Sequence, residues 1–221
     1  MITTNAERIL QMASDNHGII TAEKITKAGI LRSHIKILVD KDLLERVSRG
    51  VYVLPTAIED EMLSLQVRFR RGIFSHETAL FIHDLTDRTP LQYTLTFPLS
   101  YNTLSAKKEN LRCMRVKTEY HSLGVMLAKS PCQNTIRVYN PERTLCDILK
   151  TRSNTDIQII TDAFKQYVHN PQKNIPLLSH YSRMFHVEKR VRYYLDCCFE
   201  TYNATMKCSL NEAKTNNTQS G

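Results

Sequence analysis

The side chains with the clearest chemistry in this sequence are cations beside a short helix and a tight turn. Lys36 and Lys41 lie in a segment whose apolar residues have helical spacing, and Arg46 and Arg49 lie in the strand-like run that follows. Ammonium and guanidinium groups bind phosphate oxygens, and they also reach the acceptor atoms of guanine in the major groove. This concentration of donors predicts contact with a nucleic acid.

The predicted contacts come from one helix face and from one hairpin. The helix face is polar except for Ile37, which could contact a thymine methyl group. The arginines of the hairpin would bind phosphates or enter a narrow A·T-rich minor groove. A solvated helix face and a hairpin that only completes the core are the alternatives. The candidate DNA-binding residues are Arg32, Ser33, His34, Lys36, Ile37, Lys41, Arg46 and Arg49.

Further cations follow residue 55. That part of the chain has 22 Lys and Arg against 16 Asp and Glu, whereas residues 1–54 have eight against six, and the net charge of the whole chain is +8. Our hypothesis is that some of these cations form one surface that extends a DNA footprint or binds RNA, and separate solvated faces are the alternative. The groups are Arg68, Arg70 and Arg71; Lys107, Lys108, Arg112, Arg115 and Lys117; and Arg183, Lys189, Arg190 and Arg192.

A second set of residues would suit an enzyme. His76, Glu77, His83 and Asp84 have the spacing H-E-x₅-H rather than the H-E-x-x-H of zinc proteases, although positions 76 and 83 share a helix face. A helix start capped by Ser75 and a half-buried His83 explain this set without a metal. The sequence also has no glycine-rich phosphate loop and no serine-hydrolase motif. We therefore expect no metal, no cofactor and no catalytic site.

Arg143 and Asp147 lie four residues apart on one predicted helix. They can form an i,i+4 ion pair, or they can belong to a functional or nucleic-acid-binding surface of the second half of the chain. Local spacing leaves both interpretations open.

The elements that must position the DNA-binding candidates follow from local signals. Thr4 to Glu7 have the form of a capping box, and a glycine follows each of the first two predicted helices. In the third helix, Ile35, Leu38, Val39 and Asp42 fall on the buried arc. The predicted elements are helices at 5–16, 22–28 and 31–41, a short extended link at 19–20, strands at 44–47 and 51–54, and a three-residue loop at 48–50.

The remaining elements are predicted in the same way. Asn140-Pro141-Glu142 is a strong helix start, because Asn caps well, Pro fits the first position and an acid suits the first turn. The predicted helices lie at 57–71, 75–85, 141–150, 155–169, 175–186 and 188–203, and the predicted strands at 93–97, 112–117, 122–129 and 135–139. Residues 207–221 are polar and are expected to form a disordered tail.

The overall composition agrees with a cytoplasmic protein. No apolar run approaches the roughly 18 residues that span a bilayer, and no signal peptide is visible. The six cysteines show neither C-x-x-C nor zinc-finger spacing, so we expect buried, reduced thiols. We expect no association with a membrane.

Three blocks of the sequence carry a resemblance to a known family. These are residues 43–52 with the three helices before them, Ser75-His76-Glu77-Thr78-Ala79-Leu80, and Pro141-Glu142-Arg143-Thr144-Leu145-Cys146-Asp147. In this order the chain resembles the AbiEi-type antitoxins from about residue 5 to residue 205.

The resemblance implies a specific function. AbiEi-type antitoxins are encoded beside a nucleotidyltransferase-like toxin in type IV toxin–antitoxin systems that act by abortive infection and protect bacteria from phage. Their winged helix binds the promoter of their own operon and represses it, and their C-terminal domain neutralises the toxin without a stable complex. We expect a promoter with inverted repeats and dimerisation on DNA, because one short helix and a wing read few bases.

The predicted fold class is α+β, with an N-terminal winged helix-turn-helix and a larger α+β domain that has a small sheet and several helices. The predicted domains are residues 1–54 for DNA binding, residues 55–206 for the antitoxin activity and residues 207–221 for the tail. Two other functions stay open, a ligand-responsive winged-helix repressor and a metal-dependent nuclease that uses His76, Glu77 or Asp147.

Overall fold

The computed structural model describes residues 4–16, 18–56 and 60–199. The predicted tail at 207–221, the start of the helix predicted at 57–71 and the end of the helix predicted at 188–203 lie outside the described residues. Mixed helices and sheets confirm the predicted α+β class.

The contacts within the chain define two compact units. Unit 1 combines Met1–Phe74 with Leu95–Val138, and unit 2 combines Ser75–Thr94 with the chain from Tyr139 onward. Unit 1 contains the predicted winged helix and part of the predicted antitoxin domain. Whether residues 1–54 also form a domain of their own stays a prediction.

The first half of unit 1 is a winged helix. Its elements are α1 (Asn5–Ser14), β1 (Ile19–Thr21), α2 (Ala22–Lys27), α3 (Ser33–Asp40), β2 (Glu45–Ser48) and β3 (Val51–Val53). The capping box at Thr4 is confirmed, since its hydroxyl accepts from the amide of Glu7 and the Glu7 carboxylate accepts from the amide of Thr4. The helices pack around a core that includes Ile9, Ile25 and Leu38.

One local prediction in this module was wrong, and another gave the extended backbone correctly but missed its strand pairing. Asp42 is exposed rather than buried, because α3 ends at Asp40 and Asp42 takes a left-handed conformation with φ 55°. The predicted link at 19–20 is the strand β1, which pairs antiparallel with β3. The short apolar run at 19–20 did not reveal this partner, because strand pairing depends on residues more than 30 positions away.

The hairpin loop contains two residues instead of three. Ser48 pairs with Val51, so Arg49 and Gly50 form the turn, and the extra residue is absorbed by a bulge between Arg46 and Ser48. Gly50 has φ +81°, a conformation that a glycine adopts without the strain of a Cβ atom.

The three-stranded sheet, in the order β1-β3-β2, buries both of its faces. Ile20 and Tyr52 contact the core of the three helices, whereas Ile19, Val51 and Val53 form a second cluster on the other face. This alternation is the period-two pattern of a strand. Leu63 and Val67 of α4 (Glu61–Arg68) cover the second cluster, so a helix from beyond residue 55 completes the packing of the winged helix.

A buried polar network joins α4 to the rest of unit 1. Asp60 caps α4 by accepting from the amide of Leu63, and its other carboxylate oxygen accepts from Ser130 Oγ and Asn134 Nδ2. Asn134 Oδ1 accepts from Asn16 Nδ2 of the winged helix at 3.4 Å. Buried polar groups are costly unless they are hydrogen-bonded, so this network favours one arrangement of the winged helix, α4 and the 130–134 turn.

A five-stranded sheet forms the second half of unit 1, in the order β6-β5-β4-β8-β7. The short strand β4 pairs antiparallel with β5 and parallel with β8. The helices α6 and α7 were not predicted, because each has only four or five residues. The elements are β4 (Ile73–Phe74), β5 (Thr94–Pro98), α6 (Leu104–Lys108), β6 (Arg112–Val116), α7 (Thr118–His121), β7 (Val125–Lys129) and β8 (Thr135–Tyr139).

Unit 2 is helical and is built around α8 (Pro141–Ile148), in which seven of the eight residues, Glu142 to Ile148, are buried. The helix start predicted at Asn140 is confirmed, since the Asn140 side chain accepts from the amide of Arg143 at 2.9 Å. Ser75 precedes α5, but its side chain makes no capping hydrogen bond, contrary to the prediction. The other elements are α5 (His76–Ile82), a 3₁₀ turn (Thr151–Ser153), α9 (Ile157–His169), α10 (Ile175–Met184) and α11 at 188–199.

None of the five cysteines in the described part of the chain is disulfide-bonded. Cys146 and Cys198 are buried as expected, but Cys197 is exposed. Cys208 lies outside the described residues.

Candidate nucleic-acid interface

The outer face of α3 carries the predicted helical contacts. Ser33, Lys36 and Ile37 are exposed on it, and Ile37 keeps 46% of its surface accessible. Lys41 is exposed directly after the last turn. Burial of Ile35 and Leu38 in the three-helix core fixes this orientation, because residues on the opposite side of the helix must then face solvent.

Two of the predicted residues lie at the edge of this face. Arg32 immediately precedes α3, and its Nε donates to Thr26 Oγ1 at 3.0 Å, which holds the guanidinium between α2 and α3. His34 is half-buried, and its Nε2 accepts from Asn5 Nδ2 at 3.4 Å, so this ring turns toward α1.

The wing places its two arginines on the same side of the module as α3. Arg46 and Arg49 are both exposed, and Arg46 Nε approaches the carbonyl oxygen of Ser48 at 3.4 Å. The amide of Ala22 donates to the carbonyl oxygen of Gly50 at 2.9 Å, so the wing turn is attached to the start of α2.

A groove of about 360 Å³ separates α3 from the wing. Apolar residues of both elements form its floor. Its rim carries four cations, and no acidic residue lines it among the residues that the structure describes. The structure therefore brings together Arg32, Lys36, Arg46 and Arg49 around one groove, while Ser33, Ile37 and Lys41 lie on the neighbouring exposed helix surface.

The three arginines after α4 differ from one another. Arg68 is paired with Glu109 at 2.5 Å, and both side chains are about two-thirds buried. Arg70 is exposed and pairs with Glu23 at 3.3 Å. Arg71 is exposed and lies close enough to His121 to affect its pKa. Of the three, Arg70 alone faces the winged helix through an exposed contact.

The second basic group lies on α6 and on the edge strand β6. Lys107, Lys108, Arg115 and Lys117 are exposed, and Arg112 is half-buried. Lys117 pairs with Glu119 at 3.7 Å. The role of this group in nucleic-acid binding stays a prediction.

The third group, Arg183, Lys189, Arg190 and Arg192, belongs to unit 2. Arg190 donates to the carbonyl oxygen of Leu149, and Arg192 pairs with Glu188 at 3.7 Å. Its membership in a shared basic surface also stays a prediction.

Arg143 and Asp147 do not lie on a surface, so that interpretation of the sequence was wrong. Arg143 is fully buried and Asp147 is 1% exposed. Arg143 Nε donates to Asp147 Oδ2 at 2.9 Å, and its guanidinium lies between the rings of Tyr139 and Phe185. The physical reason for the error is that α8 is surrounded by other helices, which the local i,i+4 spacing cannot show.

Lys150 completes this buried cluster. Its Nζ donates to Asp147 Oδ1 at 2.6 Å and lies 3.9 Å from the centre of the Phe185 ring. Burial alone would raise the pKa of Asp147, but the charges of Arg143, Lys150 and His76 outweigh it and keep this pKa below its usual value. Each carboxylate oxygen of Asp147 accepts a hydrogen bond from a protein cation.

The histidines of the enzyme hypothesis are structural. His76 is buried at 3% exposure, and its Nδ1 lies 3.1 Å from Ser75 Oγ. His83 Nε2 donates to the carbonyl oxygen of Tyr139 at 2.7 Å, and burial lowers the pKa of His83. Within residues 4–16, 18–56 and 60–199, no cluster of three or more His, Cys, Asp and Glu residues could hold a metal ion.

Sequence reasoning missed Thr26 and Glu23 as parts of this interface. Thr26 orients Arg32, and Glu23 pairs with both Arg70 and Lys27. The i,i+4 spacing of Glu23 and Lys27 was a visible signal of one of these contacts. The contact with Arg70 had no local signal, since 47 positions separate the two residues.

Comparison with known proteins shows one family that the N-terminal module is similar to. Residues 7–55 match the family model described as "Transcriptional regulator, AbiEi antitoxin". No curated protein matches the sequence. Among solved structures, the RV2827C protein from Mycobacterium tuberculosis is similar, with a TM-score of 0.49 and 16% sequence identity over 89% of this chain and 82% of that one. No helix in the described part of the chain is long and apolar enough to cross a bilayer.

The segment that matches the family model is the one that carries α3, the wing and the groove between them. Over residues 7–55, the N-terminal module of this chain is therefore similar to the AbiEi antitoxin family of transcriptional regulators.

Proposed function

We propose that this protein represses its own promoter by binding DNA through the winged helix, and that it is the antitoxin for a nucleotidyltransferase-like toxin. The observation that carries the first half is the groove between α3 and the wing, whose rim has four cations and which lies inside the family match.

In the proposed complex, α3 enters the major groove. Lys36 and Ile37 would contact base edges, because they project from the exposed face of the helix. Arg46 and Arg49 would bind the flanking phosphates from the wing, and such contacts position the protein without reading sequence. Arg32, held by Thr26, would bind a phosphate at the start of the helix.

Repression would be steric, with the protein bound where polymerase must bind. Two copies on inverted half-sites would supply the specificity that one short helix lacks, and their centres would lie about 34–36 Å apart or a multiple of that. We propose this arrangement for a promoter with inverted repeats.

The antitoxin half of the proposal rests on the family match and on the resemblance of later blocks to AbiEi-type antitoxins. We place this activity in residues that follow Pro55 and propose that the protein relieves toxicity without a stable complex. The proposal includes no catalytic step.

A salt titration of promoter binding tests the DNA half. Arg49→Ala should weaken binding about equally for all sequences and reduce the slope of log affinity against log salt by about one, because one phosphate contact is lost. Lys36→Ala should also weaken binding and reduce the preference for the promoter over a scrambled duplex. Lys165→Ala removes an exposed charge on α9 and is the matched control.

Unchanged affinity and unchanged salt slope in both Arg49→Ala and Lys36→Ala would refute DNA binding through this groove. Co-expression with the proposed toxin, which we expect to be a nucleotidyltransferase-like protein encoded by the neighbouring gene, tests the other half. Arg49→Ala should still protect cells from the toxin, since the wing is assigned to DNA alone. Failure of the wild type to protect would refute the antitoxin assignment, and stable co-purification would refute neutralisation without a complex.

A further inference from the structure

A second cavity opens beside the wing, on the side away from α3. It has a volume of about 620 Å³ and lies between the wing turn, the start of α2 and the end of α4. Ala22, Arg32, Arg49 and Gly50 line both this cavity and the groove between α3 and the wing. The two spaces are therefore neighbours that share two cations.

The end of α4 has a fixed position relative to the wing. Val67 packs against the cluster of Ile19, Val51 and Val53, and Ser64 Oγ donates to Ser48 Oγ of the wing at 3.0 Å. All of these groups belong to unit 1. Arg70, two residues after α4, lines the same cavity as Arg49.

The cations of this cavity differ in how easily they can bind a new anion. Arg68 is bound to Glu109 in a partly buried pair, so it serves the fold. The pair between Arg70 and Glu23 is exposed, with 67% and 47% of the two side chains accessible, and exposed pairs contribute little stability. Lys27 also pairs with Glu23 at 3.0 Å, so Glu23 keeps a partner when Arg70 leaves it.

Lys27 and Arg70 both favour the ionised form of Glu23. The hydrogen bond and charge of Lys27, together with the charge of Arg70, lower the pKa of Glu23. Glu23 is therefore an anion that occupies Arg70 in the free protein, in the place where a phosphate oxygen could bind instead.

We propose that the DNA backbone extends from the α3 groove into this second cavity and that Arg70 binds one of its phosphates, with Glu23 as the internal anion that the phosphate displaces. The inference rests on the proposed function, because the DNA must first lie against α3 and the wing. A duplex carries one negative charge about every 1.7 Å of its length, so DNA on Arg49 presents further phosphates beside it. Arg70 is then a DNA-binding residue contributed by the chain beyond Pro55.

Neighbouring arginines provide a matched test. Arg70→Ala should reduce the salt slope of binding to a promoter duplex by about one and weaken binding at about 0.15 M salt by roughly tenfold. Arg71→Ala removes the same charge one residue away, beside His121 rather than beside Glu23, and should leave both values near those of the wild type. Arg70→Lys should restore most of the salt slope.

Glu23→Gln tests the role of the displaced anion. It should tighten promoter binding, by up to about fivefold, because the phosphate no longer competes with a carboxylate for Arg70. Weaker binding by Glu23→Gln would overturn the displacement. Thermal unfolding of each variant shows whether a change in binding reflects loss of the fold. If Arg70→Ala is unstable, Arg70→Gln removes the same positive charge with a longer polar side chain.

The outcomes separate this inference from the proposed function. If Arg49→Ala loses affinity while Arg70→Ala behaves like Arg71→Ala, the second cavity does not bind DNA and the repressor function stands. If Lys36→Ala, Arg49→Ala and Arg70→Ala are all without effect, both proposals fall. Stronger competition by single-stranded RNA than by DNA of equal length, lost in Arg70→Ala, would overturn the assignment to DNA.

Discussion

Replacement of Asp147 by Asn should destabilise the protein rather than remove a functional surface. Asp147 is 1% exposed, and it accepts from Arg143 Nε and Lys150 Nζ. The amide would leave the buried charge of Arg143 without its counter-ion. Breaking a buried ion pair in this way costs about 3–5 kcal/mol.

The expected change in melting temperature follows from the size of the chain. At roughly 2–4 °C per kcal/mol for a protein of this length, Asp147→Asn should lower the melting temperature by roughly 6–20 °C. Arg143→Met should have a similar effect, because it leaves the Asp147 carboxylate with Lys150 alone. Lys150 is 30% exposed, so water reaches it and its removal should cost less.

A double variant distinguishes charge from packing. Arg143→Met with Asp147→Leu fills the same space with apolar groups between Tyr139 and Phe185, and buried pairs replaced in this way are often neutral or more stable. The double variant should therefore be more stable than either single variant. Circular dichroism of thermal and urea unfolding measures the wild type, Asp147→Asn, the single variants Arg143→Met and Asp147→Leu, and their combination.

If Asp147→Asn were as stable as the wild type, this reasoning would be refuted. If that stable variant also failed to neutralise the toxin, Asp147 would be a functional residue. Additive effects in the double variant would show that the two side chains do not act as a buried pair.

Three further perturbations test the fold. Val53→Ala should lower the free energy of unfolding by about 2 kcal/mol, because Val53 is buried beneath α4. Urea unfolding measures this change, and an unchanged free energy would show that α4 does not pack there. Gly50→Ala should lower the free energy of unfolding by about 1–2 kcal/mol, because Gly50 has φ +81° and an alanine is strained there. Space is not the cause, since an added Cβ atom would meet only Ala22 Cβ at 3.9 Å. An unchanged urea midpoint would contradict the turn. Burial lowers the pKa of His83 below its ordinary value of 6.5, so the unfolded chain binds more protons as the pH falls. The contribution of His83 to the free energy of unfolding should be fully present above pH 6.5 and should be lost as the pH falls below it. In denaturant titrations, His83→Gln should reduce this pH dependence. If the free energy of unfolding of His83→Gln changed with pH as steeply as that of the wild type, the prediction would be contradicted.

Local signals in the sequence predicted most elements of the winged helix and the start of α8. The capping box at Thr4, the asparagine cap at Asn140 and the hairpin around Gly50 involve groups only a few residues apart, so sequence spacing describes them directly. The alternation of Val51, Tyr52 and Val53 likewise predicted a strand, but it did not show that both faces of this strand are buried.

The candidate site was predicted in part for the same reason. The cations of α3 and the wing could be read from the sequence, because each belongs to one short element. Their arrangement around one groove depends on the packing of the hairpin against the three helices. The pair between Glu23 and Arg70 depends on α4, which lies in a part of the chain that spacing alone assigned to another domain.

Local spacing thus determined which segments form helices and turns and which of them carry cations, because these properties depend on neighbours within a few bonds. Tertiary packing decided which charged residues are accessible. It buried Arg143 and Asp147 within unit 2, and it placed Arg70 and Arg49 around one cavity of unit 1. The physical reason is that burial and ion pairing depend on distances in space, and contacts between residues dozens of positions apart leave no trace in the local pattern.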